Sequence, residues 1–104
     1  MATTQEIFDN IRESIQKDPE STKSQIGGVF KFTLTGDMDE SWIVDCKDVD
    51  VRQGDDDAEC TITVDARDFM AIQDGSLDAM QAFMMGKLQI DGDMGLAMKL
   101  QEVL

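Results

Sequence analysis

Residues Ala82–Leu100 read AFMMGKLQIDGDMGLAMKL, and this stretch decides how the rest of the chain is arranged. Six of the eight methionines fall between residues 70 and 98. Gly86 predicts the end of one helix, Lys87–Ile90 predicts a short strand, and a second helix is expected after Gly92-Asp93. This order lets a C-terminal helix fold back over a sheet.

The methionines allow two interpretations. Methionine at helical spacing commonly fills a core, but its adaptable side chain also suits a wall that accepts variable apolar shapes. The last helix, predicted from about Met94 to Leu104, has apolar side chains over more than half its circumference at ~100° per residue. A helix that packs only on its own sheet needs an apolar stripe over about a third of its circumference. The remaining apolar surface of this helix should be covered by another element, a ligand or a partner chain.

Length and charge narrow the function. A chain of 104 residues with 41% hydrophobic residues and one proline is typical of a single folded domain. Nine basic and 22 acidic residues give a net charge of -13. Such a charge repels phosphate backbones, so nucleic-acid binding is not expected, and it discourages docking on anionic membranes.

The first quarter predicts one amphipathic helix. It runs over Thr3–Lys17, where Thr3 and Glu6 have the spacing of a capping box. The helix should finish before Pro19, and residues 18–27 are expected to form a polar connection. Its apolar stripe consists of Ile7, Phe8, Ile11 and Ile15.

Alternating apolar residues predict four strands next, and a fifth later. Val29–Thr35 and Ser41–Lys47 are joined by a short turn, which favours antiparallel pairing. Val49 and Val51 mark a short third strand, Cys60–Val64 is the fourth, and Leu88 and Ile90 give the core face of the fifth.

Two short helices are expected between the fourth and fifth strands. Asp65 can cap a helix to about Asp74 that Gly75 ends, and Ser76 can cap another over Leu77–Met85. Strands grouped early with helices around them indicate an α+β domain with a largely antiparallel sheet.

The residues used by most catalytic mechanisms are absent. The sequence has no histidine, which excludes Ser-His-Asp and Cys-His catalysis. It has no zinc set or P-loop, and Gly54–Asp57 fits a solvated acidic turn better than a calcium loop. Cys46 and Cys60 fit buried positions and would form a disulfide only on adjacent strands in oxidising surroundings. We therefore expect no enzyme activity, no metal and no cofactor.

Targeting signals and membrane spans are also not expected. Residues 1–6 lack the basic region and apolar run of a signal peptide. No apolar stretch approaches the roughly 20 residues of a spanning helix, and Glu102–Leu104 is not a peroxisomal address. The expected location is the cytoplasm.

The last third resembles the sterol carrier protein type 2 family. That family shows an Ala-Phe helix end, Gly-Lys-Leu, a short strand, Gly-Asp or Gly-Asn, Met, and a helix ending near Ala-Met-Lys-Leu, and Gly75–Leu100 matches at nearly every position. The match is specific from Asp68 onward. It is weaker over Gly28–Val64, where Gly28–Phe32 and Trp42–Asp45 resemble the first two strands, and the N-terminal helix matches only in type.

The resemblance implies a five-stranded, mostly antiparallel sheet covered by helices, with an apolar tunnel between the two layers. Family members bind fatty acids, fatty acyl-CoA, sterols or other lipids such as isoprenoids. It therefore implies that residues 1–104 form one non-enzymatic lipid-binding or lipid-transfer domain, lidded by the C-terminal helix. The strongly acidic charge departs from several basic animal members and puts acyl-CoA binding, and more than transient membrane contact, in question. The predicted lipid-binding residues are Phe30, Phe32, Trp42, Met70, Met80, Phe83, Met84, Leu88, Ile90, Met94, Ala97, Met98 and Leu100.

An interaction module is the alternative hypothesis. The surplus apolar arc of the last helix would then bury against a second copy, giving a homodimer, or against a partner enzyme to which lipid is presented. An enzyme that acts on a bound lipid is a third hypothesis, and the missing histidine disfavours it.

Overall fold

The computed structural model describes residues 4–36 and 39–100, with Leu100 described by its backbone alone. Within these residues, no helix combines the length and the apolar character that a membrane crossing requires. The helices are α1 (Thr4–Gln16), α2 (Pro19–Gln25), α3 (Ala66–Asp74), α4 (Ala79–Met84) and α5 (Met94–Leu100). The strands are β1 (Val29–Thr35), β2 (Glu40–Asp45), β3 (Asp50–Gln53), β4 (Cys60–Asp65) and β5 (Leu88–Gly92).

The strands form one sheet in the order β3-β2-β1-β4-β5. Three pairs are antiparallel, and the central pair, β1 with β4, is parallel. Phe32 pairs with Trp42 on one side and with Ile62 on the other, and Ile62 pairs with Ile90. These four side chains make one row across the core face. The predicted α+β fold with a mostly antiparallel five-stranded sheet is confirmed.

Helix α1 covers the β1–β2 side of that face. Its predicted stripe is buried, and Phe8 lies at the centre. The Phe8 ring stacks on Trp42 with centroids 4.5 Å apart and on Phe69 of α3 at 5.4 Å, and it meets Phe32 edge to face at 5.6 Å. Aromatic contacts at these distances stabilise a core beyond the burial of apolar area. One aromatic cluster therefore joins α1, the sheet and α3.

On the opposite face of the sheet, the connection over residues 54–59 contacts side chains of β1 and β3. Lys31, Ile43 and Arg52 share a row on this face, and Ile43 is fully buried. Lys31 Nζ lies 2.7 Å from Asp55 Oδ1, and Arg52 Nε lies 3.2 Å from Asp56 Oδ2. The acidic turn is thus held across the sheet by ion pairs. Within residues 4–36 and 39–100, no group of His, Cys, Asp or Glu side chains is arranged to hold a metal ion.

The polar connection expected over residues 18–27 is wrong, because most of it is the helix α2. Asp18 caps this helix by accepting a hydrogen bond from the backbone N–H of Ser21 at 3.3 Å. Pro19 occupies the first turn, where its missing N–H is harmless and its fixed φ suits a helix. The Thr22 hydroxyl donates to the Ile15 carbonyl at 2.8 Å and ties α2 to α1.

Helix α4 starts later than predicted. The backbone N–H of Ser76 donates to the Asp74 side chain at 2.8 Å, so Ser76 closes a turn after α3 and does not cap the next helix. Asp78 is the cap, and its carboxylate accepts from the N–H groups of Met80 and Gln81. The capping of α3 by Asp65, and its end at a left-handed glycine, are as predicted.

Candidate functional site

A cavity lies between the sheet and the helices α3, α4 and α5. It encloses about 190 Å³. The strands β1, β4 and β5 supply its floor, and the three helices supply its walls. Its lining consists of Phe32, Ile62, Phe69, Ile72, Ala79, Met80, Phe83, Leu88, Ile90, Met94, Ala97 and Met98.

Register and helical spacing bring these side chains together. Phe32, Ile62 and Ile90 are aligned across three strands, and Leu88 is aligned with Val64 in the next row on the same face. On each helix the lining residues recur three or four positions apart, and such residues lie on one face of a helix. These helical lining residues are Phe69 and Ile72 on α3, Ala79, Met80 and Phe83 on α4, and Met94, Ala97 and Met98 on α5.

The lining is chemically uniform. Every side chain that the described residues contribute to it is aliphatic, aromatic or a thioether, so the lining offers neither a charge nor an acid–base group. A concave apolar site of this kind favours an apolar ligand, whose binding removes both surfaces from water. Proton transfer or nucleophilic attack would need groups that these side chains do not have.

The cavity opens to solvent between α4 and α5. Four lining residues are also exposed: Met80 by 42%, Phe83 by 37%, Met94 by 44% and Met98 by 60%. Large apolar side chains that both line a cavity and face water mark its mouth. The mouth is therefore formed by the helices that precede and follow β5 in the chain.

Helix α5 is held at its start and along one face. The N–H of Asp93 donates to the Glu59 carbonyl at 3.2 Å, and the Asp93 carboxylate accepts from the N–H of Leu96 at 3.2 Å. Among the side chains that the structure describes in this helix, those of Leu96 and Ala97 are buried. Leu96 packs directly on Gly28, where a β-carbon would lie 2.8 Å from the leucine side chain.

Eight of the thirteen residues predicted from the sequence line the cavity: Phe32, Met80, Phe83, Leu88, Ile90, Met94, Ala97 and Met98. Phe30 and Trp42 are buried in the core outside the lining, and Met70 is partly buried against that core. Met84 is 79% exposed and lies outside the lining. The side chain of Leu100 lies outside the described part of the chain.

Four lining residues were not among those predicted: Ile62, Phe69, Ile72 and Ala79. Alternation assigns Ile62 to the apolar face of β4, and Phe69 and Ile72 supply the apolar side of α3. The missing information was the pairing of β4 beside β1, which places Ile62 next to Phe32 and brings α3 over that row. Ala79 carries no apolar signal strong enough to assign it.

The two cysteines lie away from this lining, and both are free and buried. Cys60 is on β4 and Cys46 follows β2, and β1 lies between these strands. Burial, followed by the nearby Asp45 carboxylate, raises the pKa of Cys46 to about 11. Burial also raises the pKa of Cys60, with smaller contributions from Asp93 and Asp91. Both thiols are therefore protonated at neutral pH and poorly nucleophilic.

Comparisons with known proteins agree with the geometry. The family model of the SCP-2 sterol transfer family matches residues 8–104. Human sterol carrier protein 2 is 37% identical in an alignment of 103 positions, which covers 93% of this chain and 19% of the human protein. Hydroxysteroid dehydrogenase-like protein 2 of Danio rerio is 38% identical in an alignment of 103 positions, which covers 95% of this chain and 24% of the fish protein. This chain thus spans a quarter or less of the length of these two relatives.

A solved structure shows the same fold. The solution structure of sterol carrier protein 2 from Aedes aegypti, determined in complex with palmitate, superposes with a TM-score of 0.80 at 29% identity. The superposition covers 98% of this chain and 94% of the mosquito chain.

Proposed function

This chain belongs to the SCP-2 sterol transfer family, and from that premise we propose that residues 1–104 form a lipid-binding domain that holds a single-chain lipid in the cavity under α5. The observation that carries the proposal is the cavity itself, an apolar space with a mouth of exposed methionines. The palmitate complex of the mosquito relative supports the choice of a fatty acid as the ligand. The twelve lining residues are the proposed contacts.

Desolvation of the lipid tail would supply the binding energy. Each methylene group moved from water into an apolar site contributes about 0.8 kcal/mol. A long acyl chain therefore gains several kcal/mol after the cost of immobilisation. Since the lining has no polar group to orient a ligand, affinity should follow tail length more closely than headgroup chemistry.

The cavity must enlarge to take a whole tail. Its volume of about 190 Å³ is below the roughly 300–1,000 Å³ of usual ligand sites. We infer that α5 is the part that moves, acting as a lid. Its start is fixed at Asp93 and its packing depends on Leu96 and Ala97, while Met94 and Met98 face the mouth. Methionine side chains can change rotamer at little cost and so fit tails of different shape.

We propose that this domain is a carrier and not an enzyme. The described lining holds no acid, base or nucleophile, and the sequence has no histidine. The Danio rerio relative is named as dehydrogenase-like, but this chain corresponds to 24% of that protein. Catalysis by such a relative would require residues outside the matched segment.

Native mass spectrometry of the freshly purified protein, followed by organic extraction of the bound material, tests the carrier function. We expect a one-to-one adduct with the mass of a single-chain lipid. Exchange against added palmitate should displace it, and cholesterol added in parallel would compete only if the cavity also accepts a sterol. A protein that is free of adduct and that takes up neither palmitate nor cholesterol would contradict the proposal.

The interaction module is the second candidate function. The exposed methionines on α4 and α5 support it, because apolar side chains on a surface favour contact with a partner. A concentration-dependent increase in size without lipid uptake would favour this candidate, and sedimentation of the lipid-free protein provides that measurement.

A further inference from the structure

The sulfur-containing side chains of the described residues differ sharply in their access to solvent. Cys46 and Cys60 are buried, and neither lines the cavity. Three methionines, here called the mouth methionines, line the cavity and face water as well: Met80, Met94 and Met98. The fourth exposed lining residue, Phe83, carries no sulfur. A small oxidant can therefore reach thioether groups of the cavity wall while the protein stays folded.

A thioether reacts directly with hydrogen peroxide. The sulfur lone pair attacks one peroxide oxygen, so that an S–O bond forms as the O–O bond breaks. The proton on that oxygen passes to the departing hydroxide, which leaves as water. The sulfur is oxidised to a sulfoxide and the peroxide is reduced, so the reaction needs no further reactant. The product replaces a flexible apolar side chain by a polar one.

The position of the mouth methionines determines what this change does. A sulfoxide oxygen is a hydrogen-bond acceptor, and the described lining has no side-chain donor for it. In the empty cavity the oxygen can be hydrated, because these side chains are 42–60% exposed. A bound lipid tail would displace that water and leave the acceptor without a partner, which is unfavourable. Oxidation should therefore weaken lipid binding more than it weakens folding.

We propose that the mouth methionines are a peroxide-modification site, and that their oxidation to sulfoxides lowers the affinity of the cavity for lipid. This inference rests on the proposed lipid-binding function. Since a bound tail covers the same side chains, it should also shield them from the oxidant. Peroxide would then act mainly on the empty carrier and prevent it from loading.

The chain contains its own control for this proposal. Met84 and Met85, here called the outer methionines, are 79% and 61% exposed but do not line the cavity. Their thioether groups should react with peroxide as well. A lipid in the cavity should not shield them, and their oxidation should not change its affinity.

Peroxide footprinting with and without palmitate tests the shielding. After treatment, catalase removes the peroxide, and tryptic peptides are sequenced by tandem mass spectrometry to locate each sulfoxide. The peptide 68–87 contains Met80 with both outer methionines, and the peptide 88–99 contains the other two mouth methionines. Saturating palmitate should slow oxidation of the mouth methionines severalfold and leave the outer methionines unaffected. Equal effects on the two sets would overturn the proposal.

Titration with cis-parinaric acid, after the peroxide has been removed, tests the effect on affinity. Oxidised wild-type protein should bind about tenfold more weakly than its untreated sample, since burial of one unpaired polar group has about this effect. M80L/M94L/M98L replaces each thioether by an apolar group of similar volume, and peroxide should leave the affinity of this variant at its own untreated value. The matched variant M84L/M85L should lose affinity on oxidation as the wild type does. The reverse pattern in the two variants would contradict the assignment.

Repair of the oxidised wild-type protein gives a test without variants. Methionine sulfoxide reductases A and B each reduce one epimer of the sulfoxide, and together they should restore the affinity. No recovery after complete reduction, or a loss of binding that follows a loss of the folded circular-dichroism spectrum, would overturn the proposal.

The untreated protein tests the carrier function separately. If it binds cis-parinaric acid, and protein with sulfoxides at all three mouth methionines binds equally well, the modification has no effect and the carrier function stands. If the untreated protein does not bind the fatty acid, the carrier function fails and this inference fails with it.

Discussion

Replacing Met98 by aspartate should weaken lipid binding more than it weakens folding. Met98 lines the cavity but is 60% exposed, so folding removes less than half of its side chain from water. Full burial of a methionine contributes about 1.5–3 kcal/mol, so losing this part costs about 0.6–1.2 kcal/mol of stability. The free energy of unfolding should therefore fall by about 1 kcal/mol.

The effect on binding has a second source. A bound tail would cover the exposed part of Met98, and in the variant it would have to lie against a charged carboxylate. Burying such a group without a partner costs several kcal/mol, or else the tail withdraws and its contacts are lost. We expect a loss of at least about 2 kcal/mol, which is roughly thirtyfold in affinity.

The matched control is Met85→Asp. Met85 is exposed to the same degree as Met98 and lies at the end of α4, but it does not line the cavity. Urea unfolding can be followed by the single tryptophan, Trp42, which is buried against Phe8. Fatty-acid affinity can be measured by displacement of cis-parinaric acid with palmitate, without vesicles. The two variants should lose similar stability, and only Met98→Asp should lose affinity.

Two results would refute this reasoning. If Met85→Asp weakens palmitate binding as much as Met98→Asp, the charge acts at long range and the cavity wall is not involved. If Met98→Asp unfolds the protein and its loss of binding follows the loss of folded protein, Met98 is an ordinary core position.

Three further predictions concern stability and the lid. Burial raises the pKa of Cys46 to about 11, so as pH rises the Cys46 thiol ionises in the unfolded chain before it does so in the folded protein. The free energy of unfolding should therefore fall as pH rises from about 9 to about 11. Urea unfolding at several pH values tests this, and a C46A variant should lose less stability over that range. Gly92→Ala should lower the free energy of unfolding by more than about 1 kcal/mol, because the φ of Gly92 is +116° and an added β-carbon would clash with backbone atoms. The control is Gly54→Ala, which has open space around it and should change the stability measured by thermal unfolding by less than about 0.5 kcal/mol. Similar values for the two variants would contradict the strain argument. Gly28→Ala should push Leu96 outward and speed fatty-acid release severalfold; an unchanged rate in stopped-flow displacement would argue against α5 as the lid.

The local elements were largely predictable because their signals are local. Alternation over Val29–Thr35 gives both the strand and its buried face, and Asp65 and Gly75 fix the ends of α3. The failures also have local causes. Helix α2 is short and polar, so it shows no apolar period, and its start depends on the cap formed by Asp18. Val49 was expected in a strand, but its φ of +56° places it in the turn before β3.

The antiparallel pairing of β1 with β2 was predicted from the short turn between them and is confirmed, but the position of β4 could not be predicted in the same way. The connection over residues 54–59 is short, yet it crosses the face of the sheet and places β4 beside β1 in parallel. Its path depends on contacts such as Lys31 with Asp55, which lie far apart in the sequence. A sequence pattern shows which face of a strand is apolar, but not which strand lies beside it.

The same limit explains the mixed result for the site. Phe30 and Phe32 point to the same face, but only Phe32 lines the cavity. Trp42 lies on that face too, but it is covered by Phe8 of α1, because α1 packs over the β1–β2 side and leaves the β4–β5 side to α3, α4 and α5. Alternation gives the apolar face. The position of each helix over that face decides which residues belong to the core and which to the cavity.

Photocrosslinking with a diazirine-bearing fatty acid, followed by peptide mapping, tests the central claim most directly. The account predicts one label per molecule, attached within the elements that line the cavity, which are β1, β4, α3, α4, β5 and α5, and its loss when palmitate is added in excess. Labels attached mainly to α1 or α2, or labelling that excess palmitate does not reduce, would contradict the claim that the cavity under α5 holds the lipid.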